Sequence, residues 1–337
     1  MKNQYCLFSC LLLLVLFTSS VEAQSIIPLQ QGKPSSIRGL SVVDDNVAWV
    51  SGNGGYFAIT NDGGKTWNWQ QVKGYEKSDF RDVEAFSAKE AVIMSSGTPA
   101  LLLKTMDGGT TWQEKYRNND TTYFLDAMDF DNPKHGLVLG DPIKNKFLLM
   151  ETNDGSETWH PFKNQPDAMP GEAAFAASGT CLRVDDKAIT IVSGGAVARR
   201  LTLVANNRKW NYTKLPLVQG KSSQGAFSSS TEKNNLIIVG GDYAKDKSRD
   251  LTACYSTNKG LTWKLAENSA IEFQSSVEYI GHDIYLSTGT PGSNITNNGG
   301  KTWTKIDDIS YNVCRKAKKG KLVLLAGDRG RIGILKM

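Results

Sequence analysis

Four almost identical stretches of eight residues recur along the chain and limit what it can fold into. They are TNDGGKTW (60–67), TMDGGTTW (105–112), TNDGSETW (152–159) and TNNGGKTW (296–303). A weaker copy, STNKGLTW (256–263), and a decayed one, NNRKW ending at Trp210, lie between the last two. Successive copies are separated by roughly 40 to 50 residues, which indicates one supersecondary unit repeated along the chain.

Each repeat contains short alternating segments that are typical of β-strands. In the first repeat they are SIRGLSVV, NVAWVSG, YFAIT and TWNWQQV, separated by turns rich in Gly, Asn and Asp. Four strands per repeat at this period are typical of a propeller blade, so we predict an all-β fold, a β-propeller. Seven segments are predicted to be the inner strands of seven blades: 37–43, 80–86, 124–130, 172–178, 224–230, 273–280 and 311–317.

The two ends of the chain complete this pattern. The seventh unit continues through KLVLLAG and RIGILKM and then stops one strand short. SIIPLQQ (25–31) precedes the first inner strand and has no other place in the count. We therefore predict a seven-bladed β-propeller with four-stranded blades, closed by an N-terminal strand that completes the last blade, because closure removes the free edge of an open sheet.

The repeated motif has a structural explanation. Asp62 is expected to accept hydrogen bonds from backbone N–H groups two residues on, and the glycines adopt positive φ without steric cost. Trp67 opens the fourth strand and is large enough to pack onto the neighbouring blade. The equivalent pairs are Asp107 with Trp112, Asp154 with Trp159, Asn258 with Trp263, and Asn298 with Trp303.

A calcium loop is the alternative explanation of the motif. Each copy offers one carboxylate, however, where an EF-hand loop offers several at alternate positions. Asn at positions 258 and 298 keeps the turn and loses the charge. We therefore expect a structural role for these residues and no bound metal.

The first 23 residues have the composition of a secretory signal. Lys2 is followed by an apolar run from Leu11 to Phe17, which is far shorter than the roughly 20 residues that span a bilayer. We expect cleavage after Ala23, a propeller over residues 24–337, no membrane span, and a periplasmic or secreted protein. Three cysteines then remain, and we expect buried strand residues with at most one disulfide: Cys181, Cys254 and Cys314.

The net charge of +5 includes one basic cluster near the C-terminus. Its residues are Arg315, Lys316, Lys318, Lys319 and Lys321. A solvated loop is sufficient to explain it, and an exported protein rarely meets nucleic acid, so no nucleic-acid partner is expected.

The motif copies resemble the Asp-box (BNR) repeat, S/T-x-D-x-G-x-T-W. This repeat occurs in bacterial sialidases, sortilin-type receptors, xyloglucan-cleaving glycosidases and the photosystem II stability/assembly factor family. The last of these is the nearest in size and layout, with a signal followed by a single seven-bladed propeller. That resemblance implies an assembly or chaperone role through a charged propeller face, without catalysis.

The resemblance to sialidases is weaker. It would imply an arginine triad, a Tyr–Glu pair, an Asp acid/base and an Arg-Ile-Pro signature near the first strand. The corresponding stretch here is SIRGL, in which Ile37 and Arg38 stand in the opposite order and the proline is missing.

A candidate site follows from the propeller topology itself. Inner strands line the central channel, and their first residues face its mouth, where propellers usually bind ligands. The expected ligand-binding residues at or near this mouth are Arg38, Arg81, Arg199, Tyr243, Gln224 and Asn312. The candidate catalytic carboxylates are Glu172, Asp141, Asp82 and Asp242, on the model of two-carboxylate glycosidases. A wet channel mouth explains polar residues at these positions equally well.

Two functions remain open on the sequence. One is an exported, non-catalytic, monomeric propeller that binds a protein or glycan partner through its charged channel face, as an assembly factor would. The alternative is a glycoside hydrolase or lyase acting on an anionic glycan. No cofactor is expected, because GNGGYF (52–57) joins two strands and a dinucleotide fingerprint requires a helix after its glycines.

Overall fold

A computed structural model describes residues 24–337 except 206, 208 and 268–270. Seven antiparallel sheets are arranged around a central channel, which confirms the predicted propeller. From the channel outward, the strands are Ile37–Val42, Ala48–Gly52, Tyr56–Thr60 and Asn68–Gln71 in blade 1; Asp79–Ala85, Ala91–Ser96, Ala100–Thr105 and Gln113–Asn118 in blade 2; Leu125–Phe130, Gly136–Ile143, Lys146–Thr152 and His160–Pro161 in blade 3.

The remaining blades follow the same order. Their strands are Leu182–Val184, Ala188–Val192, Arg199–Val204 and Asn211–Lys214 in blade 4; Lys221–Glu232, Asn235–Asp242, Ala253–Ser256 and Lys264–Leu265 in blade 5; Ser276–Gly281, Ile284–Gly289, Gly292–Thr296 and Thr304–Asp307 in blade 6; Val313–Lys316, Val323–Gly327, Arg331–Lys336 and Ser25–Gln30 in blade 7. Short 3-10 turns occupy Tyr243–Lys245 and Asp328–Gly330.

The N-terminal strand closes the ring as predicted. Ser25–Gln30 pairs antiparallel with Arg331–Lys336, with Ser25 opposite Lys336. The predicted signal, residues 1–23, lies outside the described residues. Among the described residues, no helix has the length and apolar character needed to cross a membrane.

The inner strand of blade 4 differs from the prediction. The segment 172–178 was expected to be continuous, but only Glu172–Ala173 is a strand, paired with Gly194–Gly195. Through the pairing of Gly194 with Gly225, these two short strands extend the sheet of blade 5. Residues 174–181 lie outside any strand, and the inner strand of blade 4 is Leu182–Val184, paired with Ile189–Ile191. The other inner strands show small register shifts at a similar level, for example between Phe80 and Asp82, so blade 4 carries an enlarged version of a common irregularity.

Apolar side chains fill the spaces between adjacent blades. Trp49 of blade 1 is fully buried between blades 1 and 2, where its ring lies edge-on to Trp112 at 6.3 Å between centroids. Cys181, Cys254 and Cys314 are buried and free, as small strand-associated residues, and no disulfide links them.

The Asp-box turns are held by a fixed set of hydrogen bonds. In the first copy, Asp62 Oδ1 accepts the backbone N–H of Thr66 at 2.9 Å and Oδ2 accepts its hydroxyl at 2.6 Å. The N–H of Gly64 instead reaches Thr60 Oγ1 at 2.9 Å. The carboxylate of Asp62 therefore accepts hydrogen bonds from Thr66, four residues later in the chain. The predicted hydrogen bond from the backbone N–H two residues later was wrong. Asn298 substitutes by accepting the N–H of Thr302 and donating to its hydroxyl.

Candidate functional site

The channel has two different ends. We call the end where the inner strands begin the upper face and the end where they finish, together with the Asp boxes, the lower face. The sequence-predicted site residues belong to the upper face, apart from Asp82, which lies deeper in the channel.

Glu172 and Arg199 of the predicted site are bound to each other. Arg199 Nε donates to Glu172 Oε1 at 2.8 Å, and its Nη2 donates to Oε2. Ser193 Oγ and the backbone N–H of Met169 donate to the same carboxylate. The Glu172 side chain is fully buried, so its carboxylate acts as a structural anchor for the start of blade 4.

The buried Asp126 and the partly exposed Asp141 form a second acidic group. Asp126 is 1% exposed, and neither of its carboxylate oxygens has a hydrogen-bond partner of normal geometry among the described residues. Burial and the nearby charge of Asp141 raise the pKa of Asp126 well above its usual range. Burial also raises the pKa of Asp141, whose Oδ1 accepts the N–H of Ala174 at 3.2 Å. A neutral Asp126 is the form that this environment favours.

Asp82 lies within the channel wall, where it links two blades. Its carboxylate accepts the backbone N–H of Val83 at 2.9 Å and that of Met128 in blade 3 at 2.8 Å. The residue is 1% exposed, and burial raises its pKa to about 7. Asp82 is therefore out of reach of a ligand at the upper mouth.

The remaining predicted residues sit at the upper rim. Gln224 Nε2 donates to Asp242 Oδ2 at 3.0 Å. Burial raises the pKa of Asp242, but hydrogen bonds from Ser223, Gln224 and the Ala244 N–H outweigh it and leave a lowered pKa. Tyr243 is 53% exposed and meets Phe175 edge-on.

Arg38, Arg81 and Asn312 also have local partners. Arg38 donates to Ser36 Oγ at 2.8 Å, and Arg81 pairs with Asp79 at 2.7 Å. Asn312 Nδ2 donates to the carbonyl of Ile37 at 3.0 Å, across the closure between blades 7 and 1. The upper face thus brings the predicted residues onto one rim, largely as mutually paired groups.

Residues 174–181, here called the channel segment, cross the channel below this rim. Ser178 Oγ donates to the carbonyl of Ser275 in blade 6 at 2.7 Å, and Thr180 Oγ1 donates to Ser228 Oγ in blade 5 at 2.6 Å. Phe175 stacks on Phe227 with centroids 3.8 Å apart. The segment thereby separates the upper mouth from the lower half of the channel.

A cavity of about 650 Å³ lies at the lower end of the channel, and the inner-strand ends of all seven blades line it. The sequence predicted a site at the first residues of the inner strands, whereas this cavity is formed by the residues that end them. Its charged residues are Glu84, Asp129, Asp131, Arg183, Asp185, Glu278, Arg315, Lys316, Lys318 and Lys319. Phe86, Phe130 and Tyr279 add aromatic surface.

Ion pairs arrange the charges of this cavity. Arg183 Nη2 lies 3.1 Å from Glu278 Oε2, and Lys318 Nζ contacts both Glu84 and the carbonyl of Ala85. Arg315 Nη2 donates to the carbonyl of Ser178 in the channel segment at 3.3 Å. Its Nη1 is buried without a partner among the described residues.

The basic cluster of the sequence is therefore divided between strand and loop. Arg315 and Lys316 belong to the inner strand of blade 7 and line the cavity together with Lys318 and Lys319. The expectation of a solvated loop was wrong for Arg315 and Lys316, whereas Lys318 and Lys319 are exposed residues after the strand.

Asp129 contributes a carboxyl group with a raised pKa to the cavity. Its Oδ2 accepts the N–H of Val184 at 2.6 Å. Burial raises its pKa to about 6, although the charge of Arg183 opposes this. Among the described residues, no group of three or more His, Cys, Asp or Glu is placed to hold a metal ion.

Comparisons with known proteins agree with this architecture. The family model of the photosynthesis system II assembly factor YCF48 matches residues 26–121. The chain is an Asp-box propeller whose N-terminal part, through blade 2, is similar to photosystem II assembly factors. Over 125 residues, 36% of the chain, it is 29% identical to the photosystem II assembly lipoprotein Ycf48 of a Synechococcus species. Over 123 residues it is 29% identical to the chloroplastic photosystem II stability/assembly factor HCF136 of Arabidopsis thaliana.

The sequence match is partial, whereas the structural match spans the propeller. The aligned part of this BNR propeller covers 34% of the Synechococcus protein and 26% of the Arabidopsis protein. A solved structure of YCF48 bound to a D1 peptide superposes with a TM-score of 0.64 over 93% of this chain and 95% of that one, at 15% identity. At that identity the superposition shows a shared fold.

Proposed function

We propose that this protein is a non-catalytic, protein-binding propeller that assists the assembly of a larger complex, and that its partner docks at the lower channel mouth. The observation that carries the proposal is the contrast between the two ends of the channel. Glu172, Asp82 and Asp242 of the predicted carboxylates are hydrogen-bonded within the protein, whereas the lower cavity is open and lined by charged residues from five of the seven blades. The partial similarity to assembly factors supports the same function.

The lower cavity suits a protein partner by size and chemistry. A volume of about 650 Å³ admits a few side chains of a docked segment. Five acidic and five basic residues line it, so both signs of charge are available to a polar partner. The ion pairs Arg183–Glu278 and Lys318–Glu84 are already formed, so these side chains are ordered before binding.

We also propose that the protein acts outside the cytoplasm after removal of residues 1–23. The apolar run from Leu11 to Phe17 and the small residues before Gln24 support this localisation. N-terminal sequencing of the protein from its host is expected to begin at Gln24. A protein that retains Met1 or Lys2 would contradict it.

Site-specific photo-crosslinking in the host tests the docking face. A photoreactive amino acid is placed at the exposed Lys319 of the lower face, at Arg38 of the upper face, and at the exposed Met106 as a peripheral control. We expect one protein adduct from position 319 and none from the other two positions. An adduct from position 38 alone would place the docking site on the upper face. The same adduct from positions 319, 38 and 106 would contradict docking at one particular channel mouth.

The glycosidase alternative is tested separately. Purified protein is incubated with a panel of anionic and neutral polysaccharides, and reducing-end or unsaturated products are measured. We expect no product. Product that disappears in an Asp141→Asn variant would contradict the non-catalytic proposal, because Asp141 keeps a partly exposed carboxyl group on the upper face.

A further inference from the structure

The charged residues that line the lower cavity are separated by sign around the ring of blades. A basic group lies at the end of the blade 7 inner strand, and an acidic group lies at the inner-strand ends of blades 2, 3 and 4. The basic group is Arg315, Lys316, Lys318 and Lys319, and the acidic group is Glu84, Asp129, Asp131 and Asp185. Blade 7 stands opposite the boundary between blades 3 and 4, because three blades separate it from that boundary on either side of the ring.

Internal ion pairs account for the charges that depart from this division. Arg183 of blade 4 reaches across to Glu278 of blade 6, with Nη2 3.1 Å from Oε2. Lys318 crosses the end of blade 1, where its backbone N–H donates to the carbonyl of Val42 at 3.0 Å, and its Nζ contacts the carboxylate of Glu84. With these two pairs formed, the lining residues that remain are Arg315, Lys316 and Lys319 on blade 7 and Asp129, Asp131 and Asp185 on blades 3 and 4.

Two lysines of blade 7 are available to a partner. Lys319 is exposed, Lys316 is half-buried, and neither forms an ion pair with a described residue. Lys316 Nζ donates to the carbonyl of Ile280 at 3.1 Å and lies 5.9 Å from the centre of the Tyr279 ring. These contacts hold the ammonium group at the cavity wall without neutralising its charge.

The opposite wall keeps its negative charge. Asp185 is exposed and has no ion pair with a described residue, since its Oδ1 accepts the backbone N–H groups two and three residues later, each at 2.8 Å. Asp131 Oδ1 lies 2.8 Å from Nδ1 of His135, whose Nε2 lies 3.0 Å from Glu151 Oε1. One imidazole between two carboxylates leaves a net negative charge even when it is protonated.

A cavity with opposite charges on opposite walls disfavours ligands of a single sign. An acidic glycan or a nucleic acid would be attracted by blade 7 and repelled by blades 3 and 4. A polypeptide carries both signs on one chain, so an acidic and a basic side chain can each meet the wall of opposite charge. Phe86, Phe130 and Tyr279 also line the cavity and offer apolar contact to the residues between them.

From this division of charge we propose that the lower mouth holds its protein partner in one orientation, by binding a segment with an acidic side chain at blade 7 and a basic side chain at blades 3 and 4. The acidic side chain pairs with Lys316 and Lys319, and the basic side chain pairs with Asp131 and Asp185. This inference rests on the proposed docking at the same mouth and adds the chemistry and the direction of the docked segment. Complementary charges at an interface fix its register and exclude wrong partners.

Peptides selected in vitro serve as the probe. A phage-displayed library of random dodecapeptides is depleted on an Asp131→Asn/Asp185→Asn/Lys316→Gln/Lys319→Gln variant and then selected on the original full chain. We expect the enriched peptides to contain one acidic and one basic residue at a constant separation. Asn at positions 131 and 185 keeps a side-chain oxygen for the local hydrogen bonds, so the variant should fold, which circular dichroism checks.

Double-mutant cycles then show which charge meets which wall. Fluorescence anisotropy should show binding weakened about fivefold or more by Lys316→Gln/Lys319→Gln, and replacing the acidic residue of the peptide by its amide should cause little further loss in that variant. Asp131→Asn/Asp185→Asn should show the same relation with the basic residue of the peptide. Additive losses, coupling to the opposite walls, or failure to enrich any peptide would overturn the proposal.

A matched control removes charges that lie beside the cavity. Lys321 and Asp186 are exposed, lie within two residues of Lys319 and Asp185, and do not line the cavity. A Lys321→Gln/Asp186→Asn variant should bind the selected peptides within about twofold of the original protein. A loss as large as that of the cavity variants would overturn the assignment of the charges to the cavity.

A second copy of the chain is the other occupant that opposite charges would suit, since the basic side of one mouth can face the acidic side of another. Sedimentation velocity of the original protein and of both double variants tests this. A dimer that both variants dissociate would assign the charges to self-association and overturn the proposal.

Photo-crosslinking from position 319 in the host tests the docking site separately. A partner adduct together with uncoupled peptide charges would retain docking at the lower mouth and overturn only the orientation. The absence of any adduct would count against the docking site itself and therefore against the orientation as well.

Discussion

The α-carbon of Gly179 lies so close to the carboxylate of Asp82 that a Cβ at position 179 would come within 2.2 Å of Asp82 Oδ2. Gly179 also has a positive φ of 68°. The channel segment can therefore cross the propeller only because a glycine stands where it meets blade 2.

Gly179→Ala is expected to destabilise the protein by about 2 to 4 kcal/mol, since the new methyl group overpacks a buried site and the backbone conformation disfavours alanine. The free energy of unfolding in urea measures the effect. Gly74→Ala is the control, because Gly74 has a similar φ of 86° and nothing within 4 Å of the new methyl group. A loss at position 179 no larger than at position 74 would contradict the close approach.

The Asp-box spacing predicted the fold, whereas the channel segment was not predictable by the same reasoning. The spacing indicated the repeated blade because each turn places one Trp at the start of a fourth strand, and the seven predicted inner strands set the number of blades. In blade 4, EAAFAAS is a short run of small and apolar residues that resembles a buried strand, and Gly179 in ASGT was the available sign of a break. Long-range contacts such as Ser178 with Ser275 determine that path, and no local pattern encodes them.

The site was only partly predictable for a related reason. Arg199 and Glu172 were both selected as polar residues near the upper rim, but a sequence does not show that they neutralise each other. The lower cavity depends on residues at the ends of inner strands, such as Glu84 and Arg315. Their convergence follows from ring closure rather than from any one repeat.

Substitutions at Asp62 should separate the role of geometry from that of charge. Hydrogen bonds from the Thr66 hydroxyl, the Thr66 N–H and the Thr60 hydroxyl lower the pKa of Asp62 to about 2. Because the folded protein favours the ionised form of Asp62, that carboxylate stabilises the fold at pH values above its usual pKa of about 4. This stabilisation is lost as the pH falls from about 4 to 2.

Asp62→Asn should therefore keep a melting temperature close to that of the original protein at pH 7 and lose that acid dependence, as Asn298 keeps the same turn. Asp62→Ala should lower the melting temperature at pH 7, because two donors of Thr66 lose their acceptor. Equal melting temperatures for the Asn and Ala variants would contradict a structural role for the carboxylate.

Ser156 occupies a position where the other complete Asp boxes carry glycine. It has a positive φ of 69°, it is fully buried, and its hydroxyl has no partner among the described residues. Ser156→Gly should raise the free energy of unfolding by about 0.5 to 1 kcal/mol, because it relieves backbone strain and removes a buried unpaired hydroxyl.

The reverse change provides the comparison. Gly300→Ser, at the equivalent turn, would place a Cβ 2.8 Å from Ile237 Cδ1 and should destabilise the protein. Urea unfolding of both variants measures the difference. Destabilisation by Ser156→Gly would show that the serine packs better than its geometry indicates.

Asp126→Asn should change how stability depends on pH. Burial raises the pKa of Asp126 well above its usual range, so the folded protein holds a proton that the unfolded chain releases. The stabilisation from this proton is complete below pH 4 and is lost as the pH rises toward the folded pKa. The variant should match the original protein near pH 4.5 and exceed its melting temperature near pH 8.5. Parallel profiles from pH 4.5 to 8.5 would contradict a buried, protonated Asp126.

Glu172→Gln should cost about 3 kcal/mol of stability, because it leaves the buried guanidinium of Arg199 without its counter-charge. The Glu172 side chain is fully buried and that of Arg199 is 12% exposed, so solvent screens the pair weakly. Glu114→Gln is the control, since its pair with Arg117 is about one-third exposed and should change stability by about 0.5 kcal/mol or less.

A Glu172→Gln/Arg199→Gln double variant should recover part of the loss, because it removes both charges together. Calorimetry of the single and double variants, with binding measured in the same samples, separates a recognition role from a structural role for Glu172. A stable Glu172→Gln protein that fails to bind its partner would make Glu172 a recognition residue. A destabilised one that still binds at low temperature would make it the structural anchor that its four hydrogen bonds indicate.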